Sequence, residues 1–205
     1  MVRSKFLFVV VLMSIGTSSL FAKQQSNCPQ EKFVKKIGEE ILTIIDDEGL
    51  AVEQKEARFR NILRQNFDLD YITKFVLGRA GKEATDAEKT EFRELFEDYI
   101  VQVFADKFKE FTGSKLKITG AKNGDNGKVT VLSEITRTSK PLKVDWDVYG
   151  EDGEFLARNV TVEGLQLINS QREVIASTIA KNGGTVSGAN GALRKNLAKN
   201  GNGNN

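Results

Sequence analysis

Histidine is missing from all 205 residues, and cysteine occurs once, as Cys28. The first absence removes the usual general base for serine and cysteine nucleophiles and the commonest metal ligand together. Hydrolase chemistry is left without its ordinary machinery, and no cofactor is expected. The second absence rules out an intrachain disulfide, so packing must supply the stability. Cys28 lies behind the polar Gln25-Ser26-Asn27 and reads as an incidental thiol rather than a nucleophile or lipid-anchor site. An excess of positive charge is also lacking. The formal net charge is +2, and Arg3 and Lys5 account for it, leaving the chain from Lys23 onward neutral. A neutral domain with no arginine-rich stripe is a poor partner for nucleic acid, where phosphate neutralisation supplies most of the affinity. No apolar run reaches the roughly 20 residues of a membrane span.

Three segments differ in composition. Residues 1–22 read as a secretory signal peptide: Arg3 and Lys5 begin it, Phe6 to Ile15 is a short apolar core, and Leu20-Phe21-Ala22 offers the cleavage site. From residue 183 glycine and asparagine dominate, which predicts a mobile tail over 183–205. Residues 23–182 between them have the length of one domain.

Within that domain the organising stretch is Pro141 to Arg172. Leu142, Val144, Trp146 and Val148 alternate with Lys143, Asp145 and Asp147, which is a strand with one wet face. After the turn Gly150-Glu151-Asp152-Gly153 a second extended run, Phe155 to Val162, stops at Glu163-Gly164. There the period changes to helical, with Leu167, Ile168, Val174, Ile175 and Ile179 on an amphipathic helix. Two earlier strands, beginning at Leu116 and Val129, flank the hairpin signal Asn123-Gly124-Asp125-Asn126-Gly127.

Upstream the pattern is helical. Phe33, Ile37, Ile41, Leu42 and Ile45 mark one helix face; Phe59, Ile62 and Leu63 mark a second. A short third helix carries Tyr71, Ile72, Phe75 and Val76 and stops at Gly78. Thr85-Asp86-Ala87-Glu88 is a capping box, and the apolar pattern runs from it to Phe111 without glycine or proline. This predicts one long helix with an aromatic stripe that includes Phe92, Phe96, Tyr99, Val103, Phe104, Phe108 and Phe111. The predicted fold class is α+β: a four-stranded antiparallel meander packed by about five helices.

Other motifs carry less chemistry. Gly78-Arg79-Ala80-Gly81-Lys82 lacks Walker spacing and follows a helix, so it reads as a helix stop. Asp125-Asn126-Gly127 lacks the bidentate glutamate of a calcium loop and reads as a turn. Asp145, Asp147 and Glu163 could supply an acid pair for glycoside cleavage, but acids alternating along a strand are usually its solvated face.

Several stretches, in order, resemble the MlaC/Ttg2D family of periplasmic phospholipid-binding components of ABC-type lipid transport. They are Phe67-Asp68-Leu69-Asp70-Tyr71-Ile72-Thr73-Lys74-Phe75-Val76-Leu77-Gly78-Arg79, then Ala84-Thr85 with Phe92 and Phe96, then Pro141-Leu142-Lys143-Val144. Val160-Thr161-Val162-Glu163-Gly164-Leu165-Gln166-Leu167-Ile168 and Arg172 complete the set. The sequence departs from the family pattern at Phe155, Asn159, Gln166 and Gln171, where the family has tryptophan, aspartate, serine and tyrosine.

The resemblance implies a periplasmic carrier, not an enzyme, that holds acyl chains in an apolar cavity between sheet and helices. Its implied partners are phospholipid, an inner-membrane ABC lipid transport complex and an outer-membrane lipoprotein and porin complex. Residues expected to line the cavity are Tyr71, Phe75, Phe92, Phe96, Tyr99 and Val103 from the helices. Val131, Leu142, Val144, Trp146, Val160 and Val162 are expected to line it from the sheet. A hopanoid or other isoprenoid lipid, or a ligand-free interaction module with a filled core, are the alternatives.

Overall fold

The computed structural model describes residues 28–136 and 140–201. The signal peptide expected over 1–22 and the end of the expected tail, 202–205, lie outside the described residues.

Helix α1 (Pro29–Asp46) opens on proline, whose fixed φ and missing N–H suit a first helical position. Helix α2 (Val52–Asn66) follows, with Gln54 accepting from the Ala51 amide. Asp68 caps α3 (Leu69–Leu77), accepting from the Tyr71 amide at 3.0 Å. A single turn, α4 (Ala80–Glu83), precedes α5 (Asp86–Ala105), which begins in the expected Thr85–Glu88 capping box.

The long helix predicted to reach Phe111 ends at Ala105, and a separate turn, α6 (Phe108–Phe111), completes it. The break lets Phe108 meet the Phe59 ring edge-on at 5.7 Å, a contact that a local sequence pattern does not encode.

Four strands follow, β1 (Lys115–Asn123), β2 (Val129–Thr136), β3 (Leu142–Glu151) and β4 (Glu154–Val162), in an antiparallel meander. A fifth, two-residue strand, β5 (Leu165–Gln166), folds back on β4 and takes the sheet from the predicted four strands to five. Helix α7 (Leu167–Lys181) leaves directly from it.

The Gly/Asn-rich segment does not lie loose. Residues Val186–Gly201 form α8, whose Val186, Ala189 and Leu193 are buried against Phe92, Ile175 and Ile179. Its three apolar positions recur at helical spacing, and that pattern outweighs a composition that taken by itself suggests disorder. Among the described residues eight helices stand where about five were expected.

The interior has two main parts. On the sheet side, Val131, Val144, Trp146 and Val148 pack against Val34, Ile37 and Ile44 of α1 and Ile62 of α2. Here α1 rides close on β1: a Cβ on Gly38 would stand 2.4 Å from a Leu116 methyl, so a larger residue requires the Leu116 side chain to move. On the helix side, Val76, Leu77, Phe92, Phe96, Ile175 and Ile179 join the α8 residues. A third cluster, Leu42, Ile45, Phe59, Leu63, Val101 and Phe108, ties α1, α2, α5 and α6 together.

Candidate functional site

A β-bulge places the central side chain of the site. Asp147 pairs with Asn159 and Val148 with Ala157, so Arg158 has no partner across the ladder. Bulges re-aim side chains. Here the Arg158 guanidinium lies 4.3 Å from the centre of the Tyr149 ring and 4.6 Å from that of Tyr71. Its Nε donates to Asp68 Oδ2 at 2.8 Å. Asp68 also caps α3, so one carboxylate fixes both the helix start and the arginine. The Asp68 amide in turn donates to the Ala157 carbonyl at 3.0 Å, which ties the α2–α3 junction to the edge of β4.

Tyr71 stacks on Phe75 with ring centres 6.1 Å apart, and the Arg172 guanidinium of α7 lies 4.9 Å from the Phe75 ring centre. The Leu77-Gly78-Arg79 stop gains a physical reason here. Gly78 has φ +53°, and a Cβ on it would approach the Arg172 guanidinium to 3.0 Å. Glycine both ends α3 and admits the arginine that joins α3 to α7.

Asn159 ties the sheet to the other wall. Its amide nitrogen donates to Asp147 Oδ2, and its carbonyl oxygen accepts from the Ile168 amide in the first turn of α7, both at 3.2 Å. The side chain is neutral, so it performs both roles beside Asp147 without adding a second negative charge. Asp147 Oδ1 accepts from the Thr130 hydroxyl at 2.7 Å and lies 3.8 Å from Lys128 Nζ.

Tyr71, Phe75, Asp147, Tyr149, Arg158 and Asn159, with Gln166, Ile168 and Asn169, line a cavity of about 120 Å³. Phe75 and Ile168 also pack on the helix-side core, so apolar side chains lie directly behind this polar mouth. A second, larger depression of about 410 Å³ lies between Glu40, Thr43 and Ile44 of α1 and Arg58, Asn61 and Ile62 of α2. None of the residues expected to line the lipid cavity borders it.

Those twelve expected residues do not surround one space. Tyr71 and Phe75 line the mouth. Phe92, Phe96 and Tyr99 sit behind it in the helix-side core, Phe92 and Phe96 stacked at 5.5 Å. Burial pushes the Tyr99 phenol pKa up. Val131, Leu142, Val144, Trp146 and Val160 belong to the sheet-side core instead, where the Trp146 indole donates to Ser133 Oγ at 3.1 Å. Val103 and Val162 are half-buried and belong to neither main core.

The expectation that the aromatic helix faces the greasy side of the sheet is therefore corrected. The sheet's apolar face packs on α1 and α2; the α5 rings Phe92, Phe96 and Tyr99 pack on α3, α7 and α8, while Phe104 meets Phe59 of α2 at 5.8 Å. Both faces needed a cover, and periodicity identifies the faces without assigning partners.

The three acids weighed for catalysis do not converge. Glu163 accepts from the Lys143 amide at 2.8 Å, and Asp147 is the one of the three that borders the mouth. Sequence reasoning missed Arg158 and Tyr149. Their meeting depends on the bulge, which leaves no periodic trace in the sequence.

A family model described as "MlaC protein" matches residues 35–195. The chain belongs to the MlaC family. The match reaches into α8, as far as residue 195. Within the family's wider circle, the toluene tolerance protein ttg2D of Pseudomonas putida is 24% identical over 140 residues. That alignment takes in 65% of each chain, so this chain spans somewhat under two thirds of that relative's length.

Among solved structures, a phospholipid-binding protein from Ralstonia solanacearum, in complex with a phospholipid, has the same fold. Its TM-score is 0.71 at 18% identity, over 82% of this chain and 97% of that one. Among the described residues no helix is long and apolar enough to cross a membrane.

Proposed function

We propose that this MlaC family member is a periplasmic carrier of phospholipid that moves lipid between the inner and outer membranes without a catalytic step. The observation that carries the reading is family membership, joined to a fold shared along almost the full length of a protein described with a bound phospholipid. The 1–22 leader supports the compartment, and the inner-membrane ABC complex and outer-membrane lipoprotein and porin complex are the partners the reading requires.

Energetics favour a carrier that shields the tails. At about 0.8 kcal/mol per methylene, exposing some thirty methylenes to water costs roughly 24 kcal/mol. A space of about 120 Å³ does not hold two acyl chains. Tails that enter behind the mouth must displace the packing of Phe75 and Ile168 against the helix-side core. Stacked rings and branched aliphatics suit this, because dispersion contacts with a fluid chain need no fixed register.

One observation favours the second reading, an interaction module without ligand: the apolar interior is filled by the chain's own side chains in three packed clusters. Native mass spectrometry of the secreted protein, with organic extraction, decides between them. The carrier reading expects copurifying phospholipid in about one-to-one amount. A lipid-free spectrum that persists after incubation with phospholipid vesicles overturns it, and an isoprenoid in the extract replaces the ligand class.

A further inference from the structure

We infer that the mouth between β3, β4, α3 and α7 is a headgroup subsite that selects a phosphate ester bearing a primary ammonium, the phosphoethanolamine type. This rests on the carrier reading. The volume excludes the tails: at about 120 Å³ the mouth is smaller than the ~150 Å³ cavity that accommodates one benzene. Its polar lining, with Asp147, Arg158, Asn159, Gln166 and Asn169, suits the headgroup end of the lipid.

The charges are arranged for a zwitterion. Arg158 is held by Asp68 through Nε and lies against the Tyr71 and Tyr149 rings, while among the described residues its terminal nitrogens have no hydrogen-bond partner. A guanidinium fixed in this way presents a planar pair of donors, the geometry that matches a phosphate diester. The start of α7 adds the positive end of a 15-residue helix, with Ile168 and Asn169 of its first turn on the cavity wall and no acidic side chain in that turn.

Across the same cavity stands the Asp147 carboxylate. It accepts one hydrogen bond at each oxygen, from Thr130 and Asn159, and Lys128 approaches one of those oxygens to 3.8 Å. A carboxylate has about four acceptor positions, so both oxygens retain room for an ammonium N–H.

The same inventory disfavours a quaternary ammonium. Choline-type groups are recognised by free aromatic faces. Here Arg158 occupies one face of Tyr71, and that ring stacks against Phe75. A primary ammonium instead uses acceptors, and the Asp147 carboxylate supplies them at the wall; Gln166 and Asn169, joined by an Asn169 Nδ2 to Gln166 Oε1 hydrogen bond at 2.8 Å, complete the polar lining. An anionic glycerol headgroup satisfies Arg158 but leaves Asp147 facing hydroxyls.

The test is a competition. Delipidated protein is incubated with vesicles holding equal amounts of phosphatidylethanolamine, phosphatidylcholine and phosphatidylglycerol with identical acyl chains, and the bound lipid is read by native mass spectrometry. Wild type is expected to be enriched roughly tenfold in phosphatidylethanolamine, the ratio expected from one charge-assisted pair. D147N brings the ethanolamine-to-choline ratio close to one. R158K, which keeps the charge but loses the planar fork, lowers the affinity for all three lipids while preserving the ratio. Uptake of the three lipids in vesicle proportions by wild type overturns the headgroup inference and leaves the carrier reading standing. Failure to take up any of them counts against the carrier reading itself.

Discussion

The two main cores are built on different terms. The sheet-side core is fixed by ladder register: Val131 faces Trp146 across β2 and β3, and Trp146 faces Val160 across β3 and β4. The buried indole N–H is satisfied by Ser133, whose hydroxyl donates to the Val144 carbonyl at 2.5 Å. The helix-side core has no ladder. Ring stacks and two arginine contacts, Arg158 with Tyr71 and Arg172 with Phe75, hold its edge. Its helices α7 and α8 also carry buried polar atoms that have no hydrogen-bond partner among the described residues, Gln171 Oε1 and Asn190 Oδ1. A sheet resists opening because register is lost all at once, whereas helices that meet through side chains slide apart at smaller cost. The comparison points to the helix side as the half that yields to lipid.

Removing α8 by ending the chain at Lys181 tests that division most severely. It deletes Val186, Ala189 and Leu193 and uncovers Phe92, Ile175 and Ile179 beneath them, each large apolar side chain so exposed costing about 1.5–3 kcal/mol. The expected outcome in a thermal melt is loss of cooperative unfolding or a large fall in Tm. An unchanged melt would restore the loose-tail expectation.

A matched pair sharpens the comparison. Phe96→Ala and Trp146→Ala each delete a large buried ring and should cost about 3–5 kcal/mol without lipid. With phospholipid vesicles present, the F96A melt should recover part of its loss, because a tail fills the vacated volume, and the W146A melt should not. Equal recovery in both, or recovery in W146A alone, breaks the assignment of the tails to the helix side.

The smallest effect concerns pH. Desolvation raises the Asp145 pKa above the ordinary carboxylate range; Lys122 and Lys143 pull it back, and Asp147 pushes it further up. As pH rises, the unfolded chain ionises this group first, so Asp145 lowers stability near neutrality and has no effect once both states are protonated. D145N should therefore raise Tm slightly near neutral pH, and the difference should vanish as pH falls below the ordinary carboxylate range. A gain that persists in acid points to a cause other than ionisation.

Much of this architecture was legible in the chain. Alternation along Leu142–Val148 gave a strand, the Thr85–Glu88 box began a helix where expected, and Asp68 and Gly78 delimit α3. These features are local, each decided within a few residues. The candidate site was only half legible. Tyr71 and Phe75 share a helix face and line the mouth, but Arg158 reaches them through a bulge whose register depends on both strands.

By itself the sequence determined most of the helices up to Lys181, which strands alternate, which faces are apolar, and that neither an intrachain disulfide nor histidine chemistry takes part. Only tertiary structure decided which apolar face covers which. Periodicity marks a surface that must leave water, yet burial is nearly indifferent to the identity of the partner, so the choice between sheet and helix as cover falls to global packing.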